Sequence, residues 1–456
     1  MFHTARVRRL TAALAAAAAG ALASSALPSN AAEPVETGAT STLAEAFRTA
    51  ATQYDVPREL LVGIGYAESH LDGHDGKPSQ ANGYGVMHLA GNPANPTMSE
   101  AAKLTGLPVE KLAKDPGANV RGAAAVLDAY ADRAGLQGAA RNDLGKWYSV
   151  VAQYSHSADG PTARLYTDEV YRIIGLGVGA AGVSTDPVKV TPDRGKYANV
   201  APLGTRTPSS IAAVDYPGAI WNAASTSNYR VGRTAAISTI VVHVTQGSYA
   251  GTISWFKNPA AQVSAHYVIR SSDGQVTQMV AEKDTAWHVR TENPYTVGIE
   301  HEGWVDQPSW FTDAMYRSSA ALTRDIADRR GIPKDRAHIR GHNEMPNNDH
   351  TDPGPNWNWT YYMQLVNGVN PNPPTYNFTT YGSGVRVRSD ARLSASIVTT
   401  LAGPTQVFVT CQKQGDTVTA EGTSNNWWSK LRDQGGYMTN IYIDHPDAKL
   451  PGVPVC

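Results

Sequence analysis

Two stretches interrupt the hydrophobic patterning of this 456-residue chain and divide what it can fold into. Residues 178–212 are rich in Gly, Val, Thr, Pro and Ser with no sustained period, and Asn370 to Pro374 reads NPNPP. Both have the composition of linkers. Around them the periodicity changes character. In residues 40–177, Leu43, Phe47 and Tyr54 recur at helical spacing among alanines. Asp55 and Pro57 open a second helix through Leu60, Ile64 and Ala67. Val120–Ala134, Trp147–Tyr154 and Ala163–Ile174 continue the pattern. Residues 213–369 alternate strand and helix signals: TIVVHV at Thr239–Val244, HYVIR at His266–Arg270, an Asp273-Gly274 turn before Val276–Val280, and Val297–Glu300. A helix from Asp313 to Arg330 follows, capped by Thr312 and ended by Gly331 and Pro333. Residues 375–456 hold short β-like runs with Gly, Asp and Asn turns, the pattern of a small barrel. The expected class is multidomain: a helical domain, a central α/β domain with a mixed sheet, and a small C-terminal β-barrel. A chain of this length exceeds one core.

The formal net charge of −1 lacks the basic excess of a nucleic-acid binder. At the N-terminus, Arg6, Arg8 and Arg9 precede an alanine-rich apolar run, Leu10 to Leu22. Small residues follow at Ser29-Asn30-Ala31. This reads as a signal peptide over residues 1–32, too short for a membrane span, on either the general or the twin-arginine route. No later run is long and apolar enough to cross a bilayer. The expected product is secreted, extracellular or wall-associated. In that setting Cys411 and Cys456, the two cysteines, are expected to form one disulfide.

The stretch HIRGHNEMPNNDHTDPG, His338 to Gly354, gathers histidines and carboxylates where Pro346, Pro353 and Gly354 forbid regular structure. His342 and Asp352 flank its loop and need a third partner. His243, inside TIVVHV, is available, although a histidine in so apolar a strand is more often a satisfied core residue. Two histidines and one carboxylate form a common catalytic zinc set that leaves one position for water. Such chemistry needs a base and an oxyanion stabiliser. Glu300 and His350 are the candidates. Glu302 shares the Glu300 face if the strand continues, so the residues alone support either as base. His301 would point the other way. His338, Glu344 and Asp349 read as loop polar groups.

TIVVHVTQGS, SAHYVIRSSDGQVTQMV, DTAWHV, TVGIEHEGW and GHNEMP…DHTDPGPNWNW occur in one order across most of Ala213–Trp359. They resemble the zinc-dependent N-acetylmuramoyl-L-alanine amidases, which include phage lysozyme-type amidases and peptidoglycan recognition proteins. The resemblance implies Zn2+ ligands His243, His342 and Asp352, Glu300 as catalytic carboxylate, and His350 at the transition-state-stabilising position. It implies substrate-groove roles for His266 and His288. Trp287 and Trp304 are either groove aromatics or core. The implied substrate is peptidoglycan, cut between N-acetylmuramic acid and L-alanine. A non-cutting peptidoglycan binder is the alternative, and the complete ligand set argues against it.

In the helical part, Ala67-Glu68-Ser69 followed by GYGVMHL (Gly83 to Leu89) resembles the lysozyme-like lytic transglycosylases. Glu68 stands at the position of their single acid/base. His88 replaces the usual glutamine, and Tyr154-Ser155-His156-Ser157 departs from the usual tyrosine-asparagine-alanine-glycine. A second, glycan-cleaving site at Glu68 is therefore weighed against a fold kept for binding or packing. At the C-terminus, VRVRS from Val385, NWWSK from Asn426 and GYM from Gly436 resemble bacterial SH3-like wall-binding modules.

Overall fold

Alternation along the strand Thr239–Val244 sets the central architecture. Ile240, Val242 and Val244 enter one hydrophobic core, while Val241 joins a separate cluster with Val289 and Met345 on the opposite face. In the computed structural model, residues 42–203, 214–369 and 376–456 are described, apart from 421, 433, 452 and 454. The expected leader and the 370–374 linker lie outside the described residues. Among the described residues, no helix is long and apolar enough to cross a membrane.

The strand sits in a six-stranded mixed sheet. Its order is Ile339–Gly341, Thr239–Val244, Thr296–His301, Tyr267–Ile269, Val276–Gln278, Ile220–Trp221. The first four are mutually parallel; Val276–Gln278 turns back antiparallel. Helices Asp313–Arg330 and Trp359–Val366 cover one face through Met315, Leu322, Tyr362 and Leu365. The first of these is capped as its sequence predicts: Thr312 accepts from the Met315 amide and Gly331 adopts the left-handed conformation. Helix Tyr249–Lys257 packs Ile253 and Phe256 on the other face.

Ahead of the sheet, Leu43–Tyr54, Arg58–Ser69, Pro116–Arg133, Tyr148–Tyr154 and Gly160–Leu176 are the main helices around a core that includes Phe47, Leu61, Val126 and Trp147. Asp55 is the left-handed cap of the first helix, and Pro57 the cap of the second. The stretch read as a linker is ordered in its first part. Val178–Ala180 and Val183–Thr185 pair as a hairpin whose Val178, Ala180 and Val183 enter the helical core. Residues 204–213 lie outside the described residues. The terminal segment is a six-stranded antiparallel sheet around Val387, Val407, Leu431 and Met438, in which Gln406–Ala420 forms one long strand where only short runs are expected. Cys411 and Cys456 are disulfide-bonded. Trp428 is buried, while Trp427 is half-buried under Lys449.

These parts pack as one compact unit, Ser41–Cys456. His70 stacks on Trp310 at 3.5 Å, and His74 on Trp304 at 3.5 Å. Asp72 accepts from Gln307, and Lys257 pairs with Asp159 at 2.5 Å. Asp444 accepts from the Ala181 amide, joining the terminal sheet to the 178–185 hairpin.

One buried charge cluster ties helix to sheet. Glu282, with no exposed side-chain surface, accepts from Arg329, Arg330 and the Tyr267 hydroxyl. Burial alone would raise its carboxyl, but these bonds hold it at about 2. The depressed value stabilises the fold above the unfolded carboxyl's pKa of about 4.3, and the contribution is lost as pH falls toward 2. Glu282→Gln should destabilise the protein by about 3 kcal/mol at pH 7, and that deficit should shrink as pH drops from about 4.5 to 2. Urea unfolding of both forms across this range checks it; a deficit independent of pH would refute the ion-pair assignment.

Candidate active site

Parallel register brings the polar residues to one end of the sheet. His243 lies opposite Glu300 on neighbouring strands, and Gly341 opposite Val242, so His342 follows at the same level. Carboxyl ends of parallel strands are where α/β folds form clefts. Odd positions of Thr239–Val244 and even positions of Thr296–His301 face the cleft, because their neighbours Val242 and Ile299 enter the helix-covered core. Gly341 has no room for a side chain. A Cβ there would lie 2.7 Å from Pro353, the residue after Asp352. The loop closes through the Asn343 amide, which donates to the Asp352 carbonyl at 2.8 Å.

His243, His342 and Asp352 converge and are buried. The two histidine Nδ1 atoms are 3.0 Å apart; Asp352 Oδ2 is 3.4 Å from the first, and Oδ1 3.1 Å from the second. Zinc bonds of about 2.0–2.1 Å in tetrahedral geometry put ligand atoms roughly 3.3 Å apart, so the triangle matches one face of such a site. Burial and neighbouring His342 push the His243 imidazole down to about 4, leaving it neutral with a lone pair to offer. Burial would raise the Asp352 carboxyl, but bonds with His243 and His342 keep it below its ordinary value and ionised. The Val244 amide donates to Oδ2 at 3.2 Å. Three lone-pair donors with so few protons between them suit a small cation.

His243 is oriented from behind. Its Nε2 shares a 2.9 Å hydrogen bond with His288 Nδ1, and His288 Nε2 meets the Thr296 hydroxyl at 3.1 Å. Such outer contacts fix which imidazole nitrogen faces a metal. Gly298 makes space for this arrangement, since a Cβ there would lie 2.5 Å from His288.

Glu300 is 3% exposed at the floor of a groove of about 400 Å3. Its Oε1 accepts from Gln80 Nε2 at 3.3 Å, and its Oε2 has no hydrogen-bond partner. Burial, then the nearby Asp352 charge, pushes its carboxyl up to about 8. A buried carboxyl poised near neutrality beside a cation site has the properties of a general base. His350 lies half-exposed at the rim, stacked on His342 at 4.2 Å with Nδ1 3.7 Å from Asp352 Oδ1. Trp287, His288, Trp255 and Arg290 also line the groove.

Two expected positions, His266 and Glu302, differ, while His301, Trp304 and the loop polar groups lie where one of their readings puts them. His266 does not line the groove. It is fully buried, with Nδ1 accepting from the Gly298 amide at 3.1 Å and Nε2 facing the Asp284 carbonyl at 3.3 Å and the Arg233 guanidinium at 2.6 Å. Glu302 does not share the Glu300 face, because the strand ends at His301. Its carboxylate accepts from the Tyr249 amide at 2.7 Å and the Ser271 amide at 2.8 Å, away from the cleft. His301 bonds the His243 carbonyl and the Ser319 hydroxyl within the core. Trp304 is buried against His74 rather than in the groove. His338, Glu344 and Asp349 pair with Asp335, Arg336 and Arg290.

Glu68 is 5% exposed at the end of its helix. Ser248, the cap of helix Tyr249–Lys257, donates to it at 3.2 Å. The cavity beside it is about 40 Å3, walled by Ala250, Gly251, Ser254 and Trp255 of that same helix. This is room for water and not for a sugar ring.

The family described as N-acetylmuramoyl-L-alanine amidase matches residues 233–355. N-acetylmuramoyl-L-alanine amidase A of Achromobacter lyticus is 44% identical over 178 residues, covering 35% of this chain and all of that protein. The 1,6-anhydro-N-acetylmuramyl-L-alanine amidase AmpD of Escherichia coli (strain K12) is 34% identical over 113 residues, 23% of this chain and 59% of that one. A crystal structure of an AmpD derivative aligns at 26% identity, covering 33% of this chain and 96% of that one, with a TM-score of 0.28. With the whole of the Achromobacter enzyme matched and a His-His-Asp cluster beside a buried glutamate, the chain belongs to the N-acetylmuramoyl-L-alanine amidase family of amide-bond hydrolases.

Proposed function

We propose that this protein is a secreted peptidoglycan hydrolase that cuts the amide between N-acetylmuramic acid and the L-alanine of the stem peptide. The observation that carries the reading is the triangle of His243, His342 and Asp352 ligand atoms with the unpartnered Glu300 oxygen in the same groove. His243 and His342 through Nδ1, and Asp352 through its carboxylate, would hold Zn2+. When bound, zinc supplies Lewis acidity that lowers the pKa of water to about 7 and polarises a carbonyl. Glu300 Oε2 takes the proton from the attacking water and passes it to the departing L-alanine amine. His350, at the rim, donates toward the oxygen on which charge develops. His288 keeps the His243 ring turned toward the cluster, and Trp287 offers an apolar wall to the glycan or stem. The terminal sheet, with Trp427 beside Lys449, is a wall-binding module of SH3-like type. The helical segment is read as lysozyme-like in type, but the small cavity at Glu68, walled by helix Tyr249–Lys257, disfavours glycan cleavage there.

Digestion of purified peptidoglycan should release peptides with a new N-terminal alanine, detected by mass spectrometry. A chelator should abolish release, and added Zn2+ should restore it. Anhydromuramic ends that persist under chelation would move the activity to Glu68. Wall pelleting without any release would favour a binding protein.

Two substitutions separate the roles in the site. Asp352→Ala should lose bound zinc and turnover together, measured by metal analysis and peptide release. Glu300→Gln should keep zinc and lower kcat by at least about 100-fold. Full turnover in Glu300→Gln would exclude it as the base.

A further inference from the structure

We propose that Gln80 of the helical segment is a positioning residue of the amidase site, holding the Glu300 carboxylate in the orientation from which it moves protons. The inference rests on the reading of Glu300 as base. Gln80 reaches the groove from 220 residues away in sequence, and Glu300 Oε1 accepts from its Nε2 at 3.3 Å. That contact occupies one carboxylate oxygen and leaves the other, itself buried, without a hydrogen-bond partner. A glutamate side chain has several rotatable bonds, and a donor on one oxygen removes orientations from which the second oxygen cannot react.

The segment carrying Gln80 is pinned. The hydroxyl of adjacent Ser79 meets His88 Nε2 at 2.6 Å and accepts from the Gly83 amide at 3.1 Å. His88 Nδ1 lies 3.7 Å from Glu68 Oε2, which accepts from the Ser248 hydroxyl at 3.2 Å. Ser248 precedes Tyr249, whose amide donates to Glu302, two residues beyond Glu300. The contacts therefore close a ring that starts at Glu300, passes through both segments and ends at Glu302, just beyond the strand. Upstream of Ser79, His70 and His74 stack on Trp310 and Trp304 of the central segment. Thus Glu68, at the position of a glycan-cleaving acid, and His88, in place of that family's glutamine, act here as supports for the amide-cleaving site.

The test uses the full-length, zinc-loaded protein and purified peptidoglycan. Gln80→Met keeps the side-chain length and removes the donor; Gln80→His restores a donor. Gln80→Met should lower kcat about tenfold with KM within about twofold, at unchanged zinc content and near-UV circular dichroism. Gln80→His should recover most of that loss. Ser79→Ala should lower kcat in the wild-type background and have no further effect in Gln80→Met. Wild-type kcat in Gln80→Met, or a change confined to KM, overturns the proposal while an inactive Glu300→Gln control leaves the base assignment standing. An active Glu300→Gln control overturns both.

Discussion

A histidine in the middle of a fully buried parallel strand must be neutral, and both ring nitrogens need partners. The architecture around His243 meets that demand. All six residues of its strand are buried, so water cannot supply the missing contacts. Nε2 is met by His288, itself seated over Gly298, and Nδ1 faces the donor atoms of His342 and Asp352, which a shared cation would join. Removing either set would leave a polar atom in a low-dielectric interior, at a cost of about 1–3 kcal/mol. The demand for partners thus places a metal-ligating constellation at the carboxyl ends of parallel strands.

Register transmits that constraint outward. Parallel pairing sets Glu300 opposite His243, so a carboxyl group shares the same buried face. It receives one hydrogen bond where its neighbour Glu302 receives two backbone amides. The difference separates their tasks. Glu302 is consumed in joining the strand end to helix Tyr249–Lys257 and to Ser271, whereas Glu300 keeps one oxygen uncommitted. Two glutamates two residues apart therefore diverge because the strand stops between them.

That divergence marks the limit of what the sequence makes legible. His243 and Glu300 can be assembled from short motifs because they lie in regular strands whose period fixes their faces, and His342 directly follows one; Asp352 lies in an irregular loop and is legible through its motif alone. Helix Asp313–Arg330 is legible for the same reason, with its cap and its terminating glycine in the local sequence. His266 is not, because the groups that bury it, Arg233 and the Asp284 carbonyl, come from segments with no regular period. The hairpin at 178–185 looks like a linker because Gly, Ser and Thr dilute its three core residues, Val178, Ala180 and Val183. Gln80 carries no local signal at all. It sits in a Pro-Ser-Gln-Ala-Asn turn, and its importance depends on how two separately patterned segments pack.

The packing also changes what a motif means. Glu68 sits at a helix end, followed by a Gly-Tyr-Gly stretch, as a glycan-cleaving acid would. A general acid, however, must have its proton within reach of a substrate oxygen. Helix Tyr249–Lys257 takes that space: its cap residue bonds the carboxylate, and its first two turns wall the cavity. The same helix covers the central sheet with Ile253 and Phe256, so moving it to admit a sugar would uncover core residues. Each fully exposed side chain of that kind costs about 1.5–3 kcal/mol. Opening the Glu68 cleft and keeping the amidase sheet covered are therefore in competition, and the arrangement of Ser248, Glu68, His88 and Ser79 favours the amidase.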